Sequence, residues 1–237
     1  MIVMTNTAGV TGFFQRLWDV IYPRWCLGCG IPDQSLCPQC RRQWNGPWWH
    51  GEADARFLVE FSDDGGQIVA FPVWGKANYA GDVARAIVGW KHIRDRRADR
   101  EFCALMAENA TSLNVSEAFP AAWHNRLVVV PVASGRRRRR DGHRTTEVLA
   151  QSVAHSWGCA MVDGLRSVPC DGAGESVRDR SGKIRGQRAV RDFSGCDVIL
   201  VDDVLTTGAT LRGAQHAIAA AGGRVVGGLV LAITPPR

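Results

Sequence analysis

Apolar positions along this chain keep two rhythms, short unbroken runs and helical stripes, and their alternation predicts most of the elements. Residues 67–74 form an apolar run that reads as a strand. Residues 79–93, YAGDVARAIVGWKHI, put Val83, Ala86, Ile87 and Trp90 on one helical face, and a second helix over 97–110 does the same with Phe102, Leu105 and Met106. LVVVPV, residues 127–132, is short, continuous and β-branched, as a buried strand is. A helix follows over 146–157 with Val148, Leu149, Val153 and Trp157 aligned and Gly158 placed to cap it. CAMVDGL reads as a short strand and 169–194 as a long polar loop. VILVDD is then a strand. A helix from about 208 to 221 aligns Leu211, Ala214, Ala217 and Ile218 before Gly222 and Gly223 stop it, and RVVGGLVLAI is the last strand. Strands alternating with helices from residue 127 onward predict an α/β fold, a parallel sheet flanked by helices on both faces. There is no internal repeat.

The first fifty residues keep neither rhythm for long. TGFFQRLWDVIY, residues 11–22, is a short amphipathic helix by the spacing of Phe13, Phe14, Leu17, Trp18 and Ile21, and Pro23 ends it. A cysteine cluster and a Trp-rich, poorly periodic piece, WNGPWWHGEADARF, come next. This change of texture predicts a small first domain over 1–55 and a main domain over 56–237. The chain of 237 residues fits that division, and 46% hydrophobic residues suffice for a core. No run of about 18 apolar residues predicts a membrane span. The amino terminus lacks the basic, apolar and cleavage regions of a secretory signal, so the expected location is the cytoplasm. The net charge of +6 suits an anionic partner such as phosphate, nucleotide or nucleic acid, although a basic solvated surface gives the same number.

Four of the eight cysteines, Cys26, Cys29, Cys37 and Cys40, form two CxxC pairs separated by Gly30 to Leu36. Each pair wraps a metal from one side, and the glycine after Cys29 permits a tight turn with amides aimed at sulfur. Four thiolates at this spacing suit tetrahedral, structural zinc, closed to chemistry. A redox pair or an iron–sulfur cluster uses the same residues, but a redox CxxC normally sits between a strand and a helix of its own fold. Cys103, Cys159, Cys170 and Cys196 are scattered, which suits a reducing compartment better than a disulfide framework.

The most informative stretch is VILVDDVLTTGATL, residues 198–211. A loop between the carboxyl end of a strand and the amino end of a helix gathers unbonded N–H groups, and the helix dipole adds positive field. Thr206, Thr207 and Thr210 add hydroxyls, Gly208 lets the backbone approach closely, and Ala209 adds no bulk. That is a phosphate cradle. Asp202 and Asp203 would repel a phosphate but suit what lies beside it, sugar hydroxyls or hydrated magnesium. A ribose 5-phosphate joins these parts. Ordinary capping residues at a strand end account for Thr207 but not for two acids directly after four apolar residues.

This segment resembles the phosphoribosyl-diphosphate motif of type I phosphoribosyltransferases. The CxxC pairs behind an aromatic helix ending in Tyr22-Pro23, the stretch from Tyr79 to Lys91-His92, and VVVPVASGRRRRRDGH resemble one branch, the ComF (ComFC/GntX-like) family. The resemblance runs from about residue 13 onward. It implies a type I phosphoribosyltransferase-like fold behind a four-cysteine zinc domain. Asp202 and Asp203 would hold the ribose 2- and 3-hydroxyls with magnesium, Thr206, Thr207, Gly208, Ala209 and Thr210 the 5-phosphate, and Ser134, Gly135 and Arg136 the pyrophosphate. The loop over 169–194, with Arg178, Arg180, Lys183, Arg185, Arg188 and Arg191, would be a hood that closes on the diphosphate. The implied activity is transfer of a phosphoribosyl group to an unidentified acceptor, linked to competence and DNA uptake in natural transformation. The second reading is a non-catalytic adaptor that uses the same fold as a scaffold or sensor for single-stranded DNA or a DNA-uptake motor protein.

The chain departs from that family's pattern at Arg140-Asp141-Gly142-His143-Arg144-Thr145 and in SGKIRGQRAVRDF, on the acceptor side. Arg136 to Arg140 read either as phosphate contacts or as a solvated turn. Lys91-His92 reach either the cleft or the surface. His143 is either a general base or a solvated loop residue. The nine tryptophans read as core and interface before they read as a stacking platform for bases.

Overall fold

The computed structural model describes residues 25–119, 126–133, 144–168 and 186–236. In chain order it has helix α1 (Pro38–Arg41), strand β1 (Trp49–His50), strands β2 (Val59–Phe61), β3 (Gln67–Val69) and β4 (Val73–Asn78), and helices α2 (Gly81–His92), α3 (Arg96–Thr111) and α4 (Val115–Ala118). Strand β5 (Leu127–Pro131), helix α5 (Thr145–Trp157) and strands β6 (Ala160–Met161), β7 (Leu165–Ser167), β8 (Gln187–Ala189) and β9 (Asp197–Leu205) follow, then helix α6 (Ala209–Ala220) and strand β10 (Arg224–Ile233). A six-stranded sheet runs in the order β1-β4-β10-β9-β5-β6. All its pairings are parallel except β1, which joins the β4 edge antiparallel. The α/β expectation holds: a mostly parallel sheet flanked by helices, with a four-cysteine cluster near the amino end.

The pleat explains why the apolar runs are continuous rather than alternating. Ile199 and Val201 of β9 turn to one face and pack with Trp90, Phe102 and Leu149 from α2, α3 and α5. Val198 and Leu200 turn to the other and pack with Leu211, Ala214 and Ile218 of α6. A strand covered on both sides needs apolar residues at every position. Each large side chain so buried contributes about 1.5–3 kcal/mol. The stripe Val83, Ala86, Ile87 and Trp90 is buried as its spacing predicts, and Trp90 stacks on Phe102 with centroids 4.3 Å apart. Asp95 caps α3 by accepting from the Arg97 amide at 2.8 Å. Gly158 ends α5 at φ 64°, a left-handed turn that glycine adopts without strain. Cys26, Leu36, Cys37 and Cys40 belong to the same buried cluster as the α2 face of the sheet.

Three elements differ from the sequence reading. The run over 67–74 is two strands: β3 pairs with β2 outside the main sheet, and Pro72, lacking an N–H, separates it from β4. CAMVDGL also divides. β6 stays on the main sheet, Gly164 makes a turn with its amide on Val162 O at 2.9 Å, and β7 leaves to pair with β8. The loop over 169–194 therefore contains a strand, while 169–185 lie outside the described residues. Finally, β9 continues through the acids to Leu205, because β10 extends beside it and pairs Ala232 with Val204 and Ile233 with Leu205. Among the described residues no helix is long and apolar enough to cross a membrane.

Candidate functional site

The alternation along β9 separates its two acids. Asp203 continues the Ile199 and Val201 series toward α2, and Asp202 continues the Val198 and Leu200 series toward α6. Asp203 is buried, 6% exposed, and its Oδ1 lies 2.7 Å from Lys91 Nζ at the last turn of α2. Asp202 is only half-buried, and its Oδ1 accepts the Asp203 amide at 2.8 Å. Lys91, which the sequence left open between cleft and surface, is thus at the acidic pair, while His92 is exposed.

Beyond Leu205 the chain turns through Thr206, exposed, and Thr207, half-buried, to the buried Gly208, which is the N-cap of α6. The turn is held from behind: Thr207 O accepts from Phe57 N at 3.0 Å. Gly208 has φ 78°, and a Cβ there would lie 2.6 Å from Leu58 Cγ. Only glycine satisfies both conditions. Helix α6 has no side-chain cap and no acidic residue in its first turn. Among the described residues its leading N–H groups therefore meet no side-chain cap, and the positive end of the helix suits an anion. Ala209 and Thr210 follow within that first turn, both half-buried.

Ser134, Gly135 and Arg136 lie outside the described residues, as do Arg137 to Arg140, His143, Arg178, Arg180, Lys183 and Arg185. Arg188 and Arg191 are described and exposed. The structure brings one unforeseen residue to this region. Gln187 of β8 accepts from Ala133 N at 3.2 Å and donates to Thr210 O at 2.9 Å. It ties the residue that leads out of β5 to the first turn of α6. Its signal was a lone amide within a basic segment, and the amide's two-sided hydrogen bonding is the property used.

A second cluster lies at the amino-terminal end of α2. The sulfurs of Cys26, Cys29, Cys37 and Cys40 all fall within 4.8 Å of one another, with Cys29 and Cys37 3.6 Å apart. A tetrahedron of sulfurs about 2.3 Å from a zinc ion has edges near this length. Backbone amides support the sulfurs: Cys37 N donates to Cys26 Sγ at 3.3 Å and Cys40 N to Cys37 Sγ at 3.4 Å. Gly30 has φ 77°, the tight turn the sequence predicts. Burial pushes the Cys26 thiol up, but amide donors from Cys37, Cys29 and Gly28 outweigh it and bring it down to about 6. Burial, joined by the neighbouring sulfurs, drives Cys40 the other way. Crowded sulfurs that cannot all ionise unaided are compatible with a zinc dication. Arg85 donates to Gly28 O at 2.8 Å and pairs with Asp82, and Cys40 Sγ lies 3.7 Å from Asp82. Arg41 reaches Glu101 at 3.0 Å and Glu108 at 2.7 Å on α3.

Lys76 of β4 is also buried, 6% exposed, with its ammonium 5.2 Å from the Trp48 ring. Burial holds it below the ordinary lysine range. The native state then binds fewer protons than the unfolded chain between that lowered value and about 10.4, so this residue makes stability rise with pH across that window. Urea unfolding from neutral pH to pH 10 should show wild type gaining on Lys76→Met as pH rises.

The phosphoribosyl transferase domain family model matches residues 106–236, more than half of the 237-residue chain. No curated protein matches. Among solved structures, an adenine phosphoribosyltransferase from Thermoanaerobacter pseudethanolicus is similar at 15% identity and TM-score 0.36, over 75% of this chain and 85% of that one. A Trypanosoma cruzi hypoxanthine phosphoribosyltransferase is similar at 16% identity and TM-score 0.34, over 56% of this chain and 63% of that one. One from Staphylococcus aureus gives 12% and 0.30, over 56% and 61%. The chain thus spans less than two thirds of those two hypoxanthine enzymes.

Proposed function

The chain belongs to the phosphoribosyl transferase domain family, and from that premise we propose that it binds phosphoribosyl diphosphate with magnesium and transfers the phosphoribosyl group to an acceptor nitrogen. The observation that carries this reading is the uncapped, acid-free start of α6 directly after paired carboxylates. The amides and hydroxyls from Thr206 to Thr210 take the 5-phosphate, and Asp202, the less buried of the two acids, takes the diol. Ser134, Gly135 and Arg136 take the pyrophosphate. Asp202, beside the diol, would hold magnesium bound with the ligand, and the ion would offset charge on the departing diphosphate. As the bond from the anomeric carbon to the pyrophosphate oxygen breaks, positive charge grows on the ribose ring, and the Asp202 carboxylate stabilises it on this reading. The acceptor nitrogen then forms the new bond and loses its proton to solvent, and pyrophosphate leaves with the bonding pair.

On this reading residues 1–55 are a structural zinc module, held by Cys26, Cys29, Cys37 and Cys40, and 56–237 the transferase-like domain, in the manner of the ComF family and in the cytoplasm. A non-catalytic adaptor for single-stranded DNA or a DNA-uptake motor in natural transformation is the second reading. The run Arg136 to Arg140 and the altered acceptor-side residues Arg140 to Thr145 favour it. Calorimetry with phosphoribosyl diphosphate and magnesium tests the first reading. Wild type should bind, Asp202→Asn should bind about a hundredfold more weakly, and pyrophosphate release with one nucleobase of a screened set identifies the acceptor. Salt-dependent DNA binding that survives Asp202→Asn, without pyrophosphate release, supports the adaptor.

A further inference from the structure

We propose that Lys91 is a positioning residue of the ribose site, acting through Asp203 on Asp202, so that the adjacent acids have unequal roles; the inference rests on the phosphoribosyl diphosphate reading above. Lys91 and Asp203 side chains are 18% and 8% exposed, and they meet at 2.7 Å. A pair so far out of water is not given up lightly, since either charge left alone is poorly solvated. Asp203 is thereby neutralised and turned toward α2. Its backbone amide meanwhile donates to Asp202 Oδ1 at 2.8 Å. Lys91 fixes the Asp203 side chain and cancels its charge beside Asp202, while the β10 ladder holds the Asp203 peptide whose N–H aims the Asp202 carboxylate. Asp202 is the less buried acid, on the face of the sheet that carries α6. It is therefore the acid that meets the diol, while Asp203 and Lys91 together form a neutral backing.

The test is calorimetric titration of phosphoribosyl diphosphate at a series of magnesium concentrations, with thermal unfolding to verify the folded fraction. Lys91→Met strands the Asp203 charge, and binding should weaken about tenfold. The magnesium midpoint should fall about threefold, since an uncompensated carboxylate attracts the dication. A merely structural role would leave that midpoint in place. Lys91→Arg keeps the charge and should retain the wild-type midpoint. Lys91→Met/Asp203→Asn removes both charges and should return to within about threefold of wild type, whereas Asp202→Asn stays about a hundredfold weaker. Wild-type affinity and midpoint in Lys91→Met would overturn the proposal. So would a double variant as weak as Asp202→Asn, which makes Asp203 a ligand-holding acid in its own right. Failure of wild type to bind overturns the functional reading itself, and the inference with it.

Discussion

Gly208→Val should abolish phosphoribosyl diphosphate binding and lower the melting temperature by about 10 °C. Two independent costs act on one atom. The backbone at φ 78° is left-handed, which strains a β-branched residue by about 1–3 kcal/mol. The new Cβ also meets Leu58 Cγ at 2.6 Å and Ala55 Cβ at 3.3 Å, and overpacking of this kind costs about 1–3 kcal/mol more. Leu58 is fully buried, so the relief available is displacement of the turn that carries Thr207 and the start of α6. That movement spoils the amide cradle, so binding falls by more than the stability loss alone explains. Gly208→Ala carries the same backbone strain and clash with less bulk, and should lose less of both. Calorimetry and thermal unfolding of the two variants check the ordering. Full binding by Gly208→Val would remove the 5-phosphate from this turn.

Depriving the four cysteines of the zinc proposed for them is the other large perturbation. A strong chelator, or Cys40→Ser, should lower the melting temperature by about 10 °C or more, because structural zinc binding is itself folding free energy. The effect reaches the main core. Cys40 is fully buried, in one cluster with Trp44, Trp90 and Phe102, so tryptophan emission should shift to the red as these rings meet water. Mass spectrometry of the purified chain should find one zinc per molecule. A chain that keeps its melting temperature in chelator but responds to a mild oxidant would instead carry a redox pair.

Much of this architecture was legible because the sequence states it locally. The run before Asp202, the stripe Leu211, Ala214, Ala217 and Ile218, and the closing glycines Gly222 and Gly223 are near-neighbour patterns, and β9, α6 and β10 follow from them. The β3–β4 break at Pro72 is equally local, but hydrophobicity continues through a residue that cannot join a ladder. Lys91 on Asp203, and Gln187 between Ala133 and Thr210, were not legible in the same way. Each joins elements distant along the chain, and no periodicity records which strand end a helix terminus will face. The acidic pair was legible as a pair, but the Lys91 partner that distinguishes Asp203 was not.

The strand order has a consequence for how the molecule is made. β10 follows the other described strands along the chain, yet it lies between β4 and β9. Until β10 is made, β4 has no parallel partner, and the sheet stays in two pieces, β1 with β4 and β9 with β5 and β6. Only when β10 arrives do the two halves zip together, and only then does Lys91 find Asp203. A nascent chain stalled before residue 224 should accordingly be sticky, protease-sensitive and in need of a chaperone.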